Sequence, residues 1–450
     1  MKYALIVICM ASSLVPFMGS ALNLALPYIN KELSLDVVAS GWIPASYMLS
    51  TAVLQVPFAR VADILGRRRM FIWGVAAFTL FSLLSGLARS GAELIVYRFL
   101  SGAGSAMMFG TSMAMLTAIV PPQRRGWALG INTSVVYTSL ALGPLFGGIF
   151  TQYLGWRSIF WMAALMGLAV IVGTISAIKE EWKEAQPAGF DVLGTLMYTT
   201  GMCSVIYGFS RMPSTISFVL LICGAVVLWM FGRYELKAMS PVFSVREFLG
   251  NRIFRLSTLS ALINYAATFA VSFMLSLYLQ DVRGLSPRDA GFVLISQSVV
   301  MAVTALISGR LSDRMPASRL ATAGMAIVAL GLLSLCFVSA STPFVVLSLM
   351  LVALGLGFGL FSSPNTNVIM SSVSKSHYSM ASATAGTMRL TGQAFSMGFA
   401  LMAMAMHLGS VQLSSDLHAE MLSSMRLVFI ICTALCLGGV WMSAVRSNRH

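Results

Sequence analysis

Residues 59–69 read Ala59-Arg-Val-Ala-Asp63-Ile-Leu-Gly66-Arg67-Arg68-Arg69, and they lie between two apolar runs each long enough to cross a bilayer. A chain that leaves the hydrocarbon and re-enters it within so few residues makes a tight turn between two helices. In lipid every backbone polar group must be satisfied internally, which leaves helices or a closed barrel. A shorter copy, Gly309-Arg-Leu-Ser-Asp313-Arg-Met, follows about 250 residues later, and a charged turn recurring at that distance implies a duplicated helical bundle. The expected fold class is all-α and integral to a membrane.

Composition agrees. The 450 residues are 58% hydrophobic and 10% charged, against about 25% charged in soluble domains. A net charge of +14 would suit nucleic acid, but no soluble basic domain exists to carry it, so nucleic acid is excluded as a partner. Spans need roughly 20 apolar residues. Apolar runs predict fourteen, at about 4–28, 40–60, 70–88, 92–116, 127–149, 158–178, 192–210, 215–233, 254–279, 290–309, 319–338, 343–364, 381–406 and 425–444. With both termini cytoplasmic, about two thirds of the 29 Lys and Arg fall on inner loops while the acids split evenly. That is the bias of a rule that counts Lys and Arg rather than net charge. An odd helix count would invert it downstream of the error. The expected location is therefore the cell membrane, multi-pass, with the lipid bilayer as a partner.

The first span is longer than a cleavable apolar core and follows only Lys2, so it reads as a retained helix. The six cysteines fall within predicted spans without metal-ligand spacing, so they read as small apolar residues, and no metal site is expected. Gly355-Leu-Gly357-Phe-Gly359 lies inside an apolar helix with no strand before it, and no phosphate-binding Gly-Lys-Ser/Thr loop occurs. No nucleotide, other cofactor or enzymatic activity is expected. Three parts follow along the chain: six helices over 1–180, two over 190–235, and six over 250–450.

Other segments carry a resemblance. Arg98-Phe-Leu-Ser-Gly102-Ala-Gly104 and Gly143-Pro144-Leu-Phe-Gly147-Gly148 fall in the fourth and fifth spans, and Asn23-Leu-Ala-Leu-Pro27 closes the first. Gly155-Trp156-Arg157 and Phe190-Asp191-Val-Leu-Gly194 flank the sixth span and open the extra pair. With the 59–69 turn, these resemble the motifs of the major facilitator superfamily, and within it the fourteen-span drug:proton antiporters. The resemblance implies two six-helix bundles plus two extra helices, and efflux of amphipathic small molecules (the multidrug type tied to drug resistance). It also implies protons as the coupling ion, alternating access and a monomer.

Each motif has a physical reading beside that implied role. In the turn, Asp63 is placed to accept backbone N–H bonds from a neighbouring helix N-terminus. Residue 59 must be small for two helices to approach, and Ala59 stands where the family usually has Gly. Gly66, Arg67 and Arg68, with Gly309 and Asp313 in the copy, complete a latch made in one access state and broken in the other; the alternative is a set of charges that only fix topology. Arg98 lies about six residues inside its helix and should face the interior with a partner. The family assigns it to proton coupling or substrate binding; the alternative is a structural arginine satisfied locally. Glu93, five residues before it, is a possible though poorly phased partner. Arg389 enters from the cytoplasmic side, where it either lines the site or snorkels back. Pro144 removes a helix hydrogen bond and bends the fifth span while the glycines leave a smooth face; the family links this bend to antiport, and a packing kink is the alternative.

The main departure is in the first helix. The family motif carries an acid five residues before Asn23, where this chain has Met18, and no Asp or Glu lies near mid-membrane in any span. A proton antiporter usually needs a desolvated carboxylate. Buried arginines without acids suit a neutral or anionic compound better than a cation. The 31 Met and 27 Phe suit a repacking, promiscuous surface or simply face lipid. Polar residues in central spans are expected to face the cavity or another helix, notably Asn23, Tyr47, Tyr137, Asn264, Tyr265 and Gln393. An exporter or flippase of an endogenous anionic metabolite or lipid, not coupled to protons, is the competing reading. A transporter-like receptor or inert membrane scaffold is the third.

Overall fold

The computed structural model describes residues 2–121, 125–182, 190–210, 212, 214–238, 243, 245–312, 314–373, 378–409 and 417–447, and these contain helix and turn but no strand. In chain order the helices are α1 (Lys2–Leu33), α2 (Val37–Leu65), α3 (Arg67–Leu87), α4 (Gly91–Ile119), α5 (Arg125–Leu154), α6 (Arg157–Ala177), α7 (Val192–Ser210) and α8 (Thr215–Glu235). Then come α9 (Val245–Gly250), α10 (Arg252–Leu277) with a π-turn over Tyr278–Val282, α11 (Pro287–Leu311), α12 (Ala317–Leu335), α13 (Phe344–Ser371), α14 (Tyr378–His407) and α15 (His418–Ser447).

Short polar side chains start these helices by accepting backbone N–H groups that no helical carbonyl can reach. Asp36 accepts the Ala39 N–H at 2.6 Å and starts α2; Asn251 accepts that of Phe254 at 3.0 Å and starts α10. Ser286 starts α11, with Pro287 at the first turn where its missing N–H costs nothing.

Thirteen described helices are long and apolar enough to cross a membrane. The fourteenth, α14, is 30 residues long but carries Thr387, Arg389, Thr391, Gln393 and Ser396. It packs against α2, α7, α10 and α15, so its polar residues meet protein rather than lipid, and an apolar surface all round is not required. Short α9 falls in the basic stretch between the extra pair and the last six spans, where no helix was expected. Phe248 anchors it, its ring meeting those of Phe243 and Phe254 at 5.9 and 6.4 Å.

The same neighbours recur twice. In the first set α2 packs on α4, α1 on α5, and α3 on α4 and α6; in the last, α11 packs on α13, α10 on α14, and α12 on α13 and α15. The crossings between sets, α2 on α14 and α5 on α11, are themselves equivalent under that correspondence. This is the duplication announced by the two charged turns. The extra pair α7–α8 packs together and meets the rest mainly through α7 against α14 and α2. Large apolar side chains such as Trp73, Leu165, Ile222, Trp229 and Trp441 are exposed, the surface a lipid-embedded bundle requires.

The end of the bundle that holds residues 66–69 is here called the basic end, and the end that holds 34–36 and 283–286 the opposite end.

Candidate functional site

The candidate residues fall into four groupings. The first is the turn at the basic end. Asp63 pairs with Arg67 of the next helix, with contacts of 2.9 and 2.8 Å. The carboxylate that accepts from the α3 N-terminus belongs instead to Glu181, which takes the backbone N–H of Arg68 at 2.8 Å and of Arg69 at 3.2 Å. The Trp182 carbonyl accepts the Arg67 N–H at 2.8 Å, and Arg68 Nε donates to the Ile178 carbonyl. The segment leaving α6 therefore clamps the turn. Gly66 is required twice over: its φ is +117°, and a Cβ there would sit 2.6 Å from the Glu181 carboxylate. Ala59 faces Gly110 of α4, where a Cβ on the glycine would lie 3.2 Å from the Ala59 methyl. The space that a glycine at 59 would provide is supplied from the other helix. In the second turn Gly309 of α11 opposes Ser363 of α13, and Asp313 lies outside the described residues.

The second grouping lies inside the first six-helix set. Arg98 is 1% exposed. Its guanidinium stacks over the Tyr47 ring at 4.2 Å, with the Phe160 ring at 6.0 Å. Tyr47 in turn hydrogen-bonds Ser105. Gly102 makes this possible, since a Cβ there would sit 2.5 Å from the Tyr47 carbonyl and push α2 off α4. Arg98 Nε and Nη1 are buried with no hydrogen-bond partner among the described residues. The poorly phased pairing with Glu93 is not made. Five helical positions turn about 140°, and Glu93 is exposed, its carboxylate accepting the Arg89 N–H at 2.9 Å while Ser90 accepts the Glu93 N–H at 3.3 Å. Ser90-x-x-Glu93 is a capping box.

The third grouping spans the two sets near mid-length. Tyr137 of α5 hydrogen-bonds Ser362 of α13. Tyr265 of α10 meets Phe358 edge-on at 5.4 Å. The Arg389 guanidinium lies 5.3 Å from the Phe109 ring of α4, a Cβ on Gly392, three residues after Arg389, would lie 3.0 Å from the Tyr265 Cβ, and Phe358 and Ser362 are one turn apart on α13. Half-buried Gln393 follows one turn after Arg389. A crevice between α1 and α4, lined by Ala11, Ser12, Val15, Met108, Phe109 and Ser112, reaches the same Phe109 ring. Three of the sequence candidates, Tyr137, Tyr265 and Arg389, thus meet at one locus. Neighbouring Asn264 is fully buried, and its side-chain oxygen and nitrogen have no hydrogen-bond partner among the described residues.

The fourth grouping closes the opposite end. Ser276 donates to the Asn23 carbonyl at 2.6 Å, and Gln280 Nε2 donates to the Leu24 carbonyl at 3.2 Å and to Ser276 Oγ at 3.0 Å. The helix-five motif supplies the surfaces for close approach. Gly143 and Gly147 face Ser20 and Ala21 of α1, and Gly148 faces the Pro287 backbone. A Cβ on Gly291 would lie 2.6 Å from the Pro144 carbonyl. Met18, where the family has its acid, is fully buried in α1.

Sequence reasoning missed Glu181, Trp182, Phe109, Ser276 and Gln280. Glu181 sits in a charged loop whose only signal is its acids, far along the chain from the turn it caps. Phe109 is one of many membrane phenylalanines.

Two helical sets of repeated packing, a polar locus shared between them and a seam at one end define a membrane transporter of the repeat-built type. The family model described as Major Facilitator Superfamily matches residues 8–397 and 257–449, and the chain belongs to that superfamily. The chain is 31% identical to the multidrug resistance protein Stp of Mycobacterium tuberculosis, over 84% of this chain and 71% of that protein. It is 28% identical to the riboflavin transporter RibZ of Clostridioides difficile, over 82% and 80% of the two chains. A crystal structure of a bacterial homologue of the human lysosomal transporter Spinster superposes with a TM-score of 0.72 at 17% identity, covering 99% of this chain and 97% of that one. At that identity the likeness shows the fold.

Proposed function

We propose that the protein exports amphipathic small molecules across the cell membrane by alternating access, with substrate held at the locus of Phe109, Tyr137, Tyr265, Phe358 and Arg389. The observation that carries this is the Tyr137–Ser362 bond joining the two sets amid aromatic rings. A site built from both sets changes shape whenever they rock, so its affinity differs between access states. Relatives named for multidrug resistance and for riboflavin transport agree with a site of this kind.

In this reading residues 1–180 and 250–450 are the rocking units, 190–235 is an accessory pair, both termini face the cytoplasm, and the protein works as a monomer. The 59–69 turn, held by Glu181, is the latch. Proton antiport, which the family resemblance implies, has no mid-membrane carboxylate to carry it among the described residues, since Asp63, Glu93, Asp191 and Asp281 all lie at helix ends. Efflux is therefore proposed on the locus alone.

The test is flux of cationic, neutral and anionic lipophiles in proteoliposomes, with lumenal pH recorded. Saturable flux of at least one probe, falling about tenfold in Tyr137→Ala and in Asp63→Ala with normal insertion, is expected. Absence of saturable flux for every probe would refute export of such molecules.

A further inference from the structure

Two arginines, Arg98 and Arg389, lie well inside described spans, and no carboxylate lies within one helical turn of either along its helix. They differ in what surrounds them. Arg98 is sealed between α2, α4 and α6. Arg389 is half-buried at the locus shared by the two sets, has no ion-pair partner among the described residues, and rests on the face of Phe109. A guanidinium inside a membrane protein is tolerated where it faces a polar cavity or finds a counter-charge. The described residues supply rings and hydroxyls here but no acid. The missing partner is an acceptor, and a planar guanidinium offers paired donors that fit a carboxylate, sulfonate or phosphate. The rings of Phe109, Tyr265 and Phe358 take the apolar body of the same molecule. A lipophilic cation finds repulsion at the same place.

Resting on the efflux reading above, we infer that the substrate is an amphipathic organic anion, that Arg389 reads its charge, and that the inside-negative membrane potential drives its exit. An anion leaving a negative interior moves down the electrical gradient, and about 100 mV supports roughly a fiftyfold concentration ratio for one charge. Such a transporter needs no proton-carrying carboxylate. Met18 in place of the first-helix acid then ceases to be a defect.

The experiment uses the full chain in oriented proteoliposomes with a potassium–valinomycin potential and no pH gradient. The probes are anilinonaphthalene sulfonate, its uncharged parent phenylnaphthylamine, and ethidium, with binding measured in nanodiscs against empty discs. Sulfonate flux should follow the potential toward that fiftyfold limit. Arg389→Gln should weaken sulfonate binding by about tenfold or more while phenylnaphthylamine binding holds within about twofold, and Arg389→Lys should restore part of the loss. Equal weakening of both probes would overturn the role of Arg389. Sulfonate flux that follows a pH gradient at zero potential, or is lost in Asp281→Asn, would overturn the driving force. Saturable ethidium flux without sulfonate flux would overturn the anionic class and leave efflux standing; no flux of any probe would overturn both. Should Arg389→Gln fail to fold, the wild-type response to potential and the Lys variant still decide.

Discussion

Replacing Glu181 isolates the clamp on the 66–69 turn, because this one carboxylate accepts two backbone N–H groups of α3 at 2.8 and 3.2 Å and also approaches Arg69 at 3.8 Å. The ion pair contributes little, since Arg69 is 69% exposed. The two N–H bonds replace an N-cap that Gly66 cannot supply, and losing an N-cap costs about 0.5–2 kcal/mol. The negative charge at a helix N-terminus adds about 0.3–1 kcal/mol when exposed. Taking the lower part of each range for a partly solvated group, Glu181→Ala should raise the free energy of the closed turn by about 1–2 kcal/mol. That corresponds to roughly 5–30-fold faster opening of the first turn of α3. Hydrogen exchange of the Arg68 and Arg69 amides, followed by mass spectrometry on peptides from 66–70, reads this directly. Glu181→Gln, which keeps an acceptor but no charge, should fall between wild type and Ala. Peptides from α10 should not change. Unchanged exchange at Arg68 and Arg69 in Glu181→Ala would refute the clamp.

Four further outcomes follow from the packing. Gly147→Ala places a methyl 2.6 Å from the backbone of Ala21 and should destabilise by about 1–3 kcal/mol, shortening the half-life of thermal inactivation in detergent. Gly438→Ala, whose methyl meets nothing within 4 Å, should lengthen that half-life through helix propensity of about 0.5–1 kcal/mol. Tyr47→Phe keeps the ring beneath Arg98 and loses only the Ser105 bond, about 1 kcal/mol, whereas Tyr47→Ala also loses a desolvated cation–π contact of about 2 kcal/mol; thermal inactivation should rank wild type, Phe, Ala, and equal rates for Phe and Ala would remove the ring from the argument. Ser276→Ala combined with Gln280→Ala should loosen the seam at the opposite end. Impermeant maleimide should then label an Ala25→Cys reporter about fivefold faster, and an unchanged rate would show that the backbone contacts of Gly148 and Gly291 hold the seam alone.

Most of the architecture was legible because apolar length and the placement of basic residues are physical requirements of a bilayer, not conventions of one family. The spans differ from the expected ones chiefly at their ends. α1, α13 and α15 run past the apolar segments, because a helix continues until a cap or breaker stops it, not where the hydrocarbon ends. α14 was found despite its polar residues only because flanking runs are apolar. The site was less legible. The cost of polar groups in lipid turns Tyr137 and Tyr265 inward and leaves Arg389 either lining the site or snorkelling back, but it does not say that they face one another, since they sit on α5, α10 and α14 and meet only through tertiary packing. Glu93 was read for its charge when the local signal, a Ser three residues before it, was the capping box. Glu181 had no local signal, because its partners are the amides of a turn more than a hundred residues earlier.

The two membrane arginines illustrate why inward-facing and functional are different statements. Arg98 stacks on Tyr47 and Phe160, which belong to its own six-helix set. Under the proposed alternating access, in which that set rocks as a unit, those contacts would travel with it and stay alike in both access states. An interaction equal in two states shifts neither, however strong it is. Arg389 stacks on Phe109 from the opposite set. In the same reading that contact would be remade when the sets move, so a ligand held there would bind the two states unequally. Removing Arg98 should therefore show first in stability, and removing Arg389 first in which molecules the protein moves.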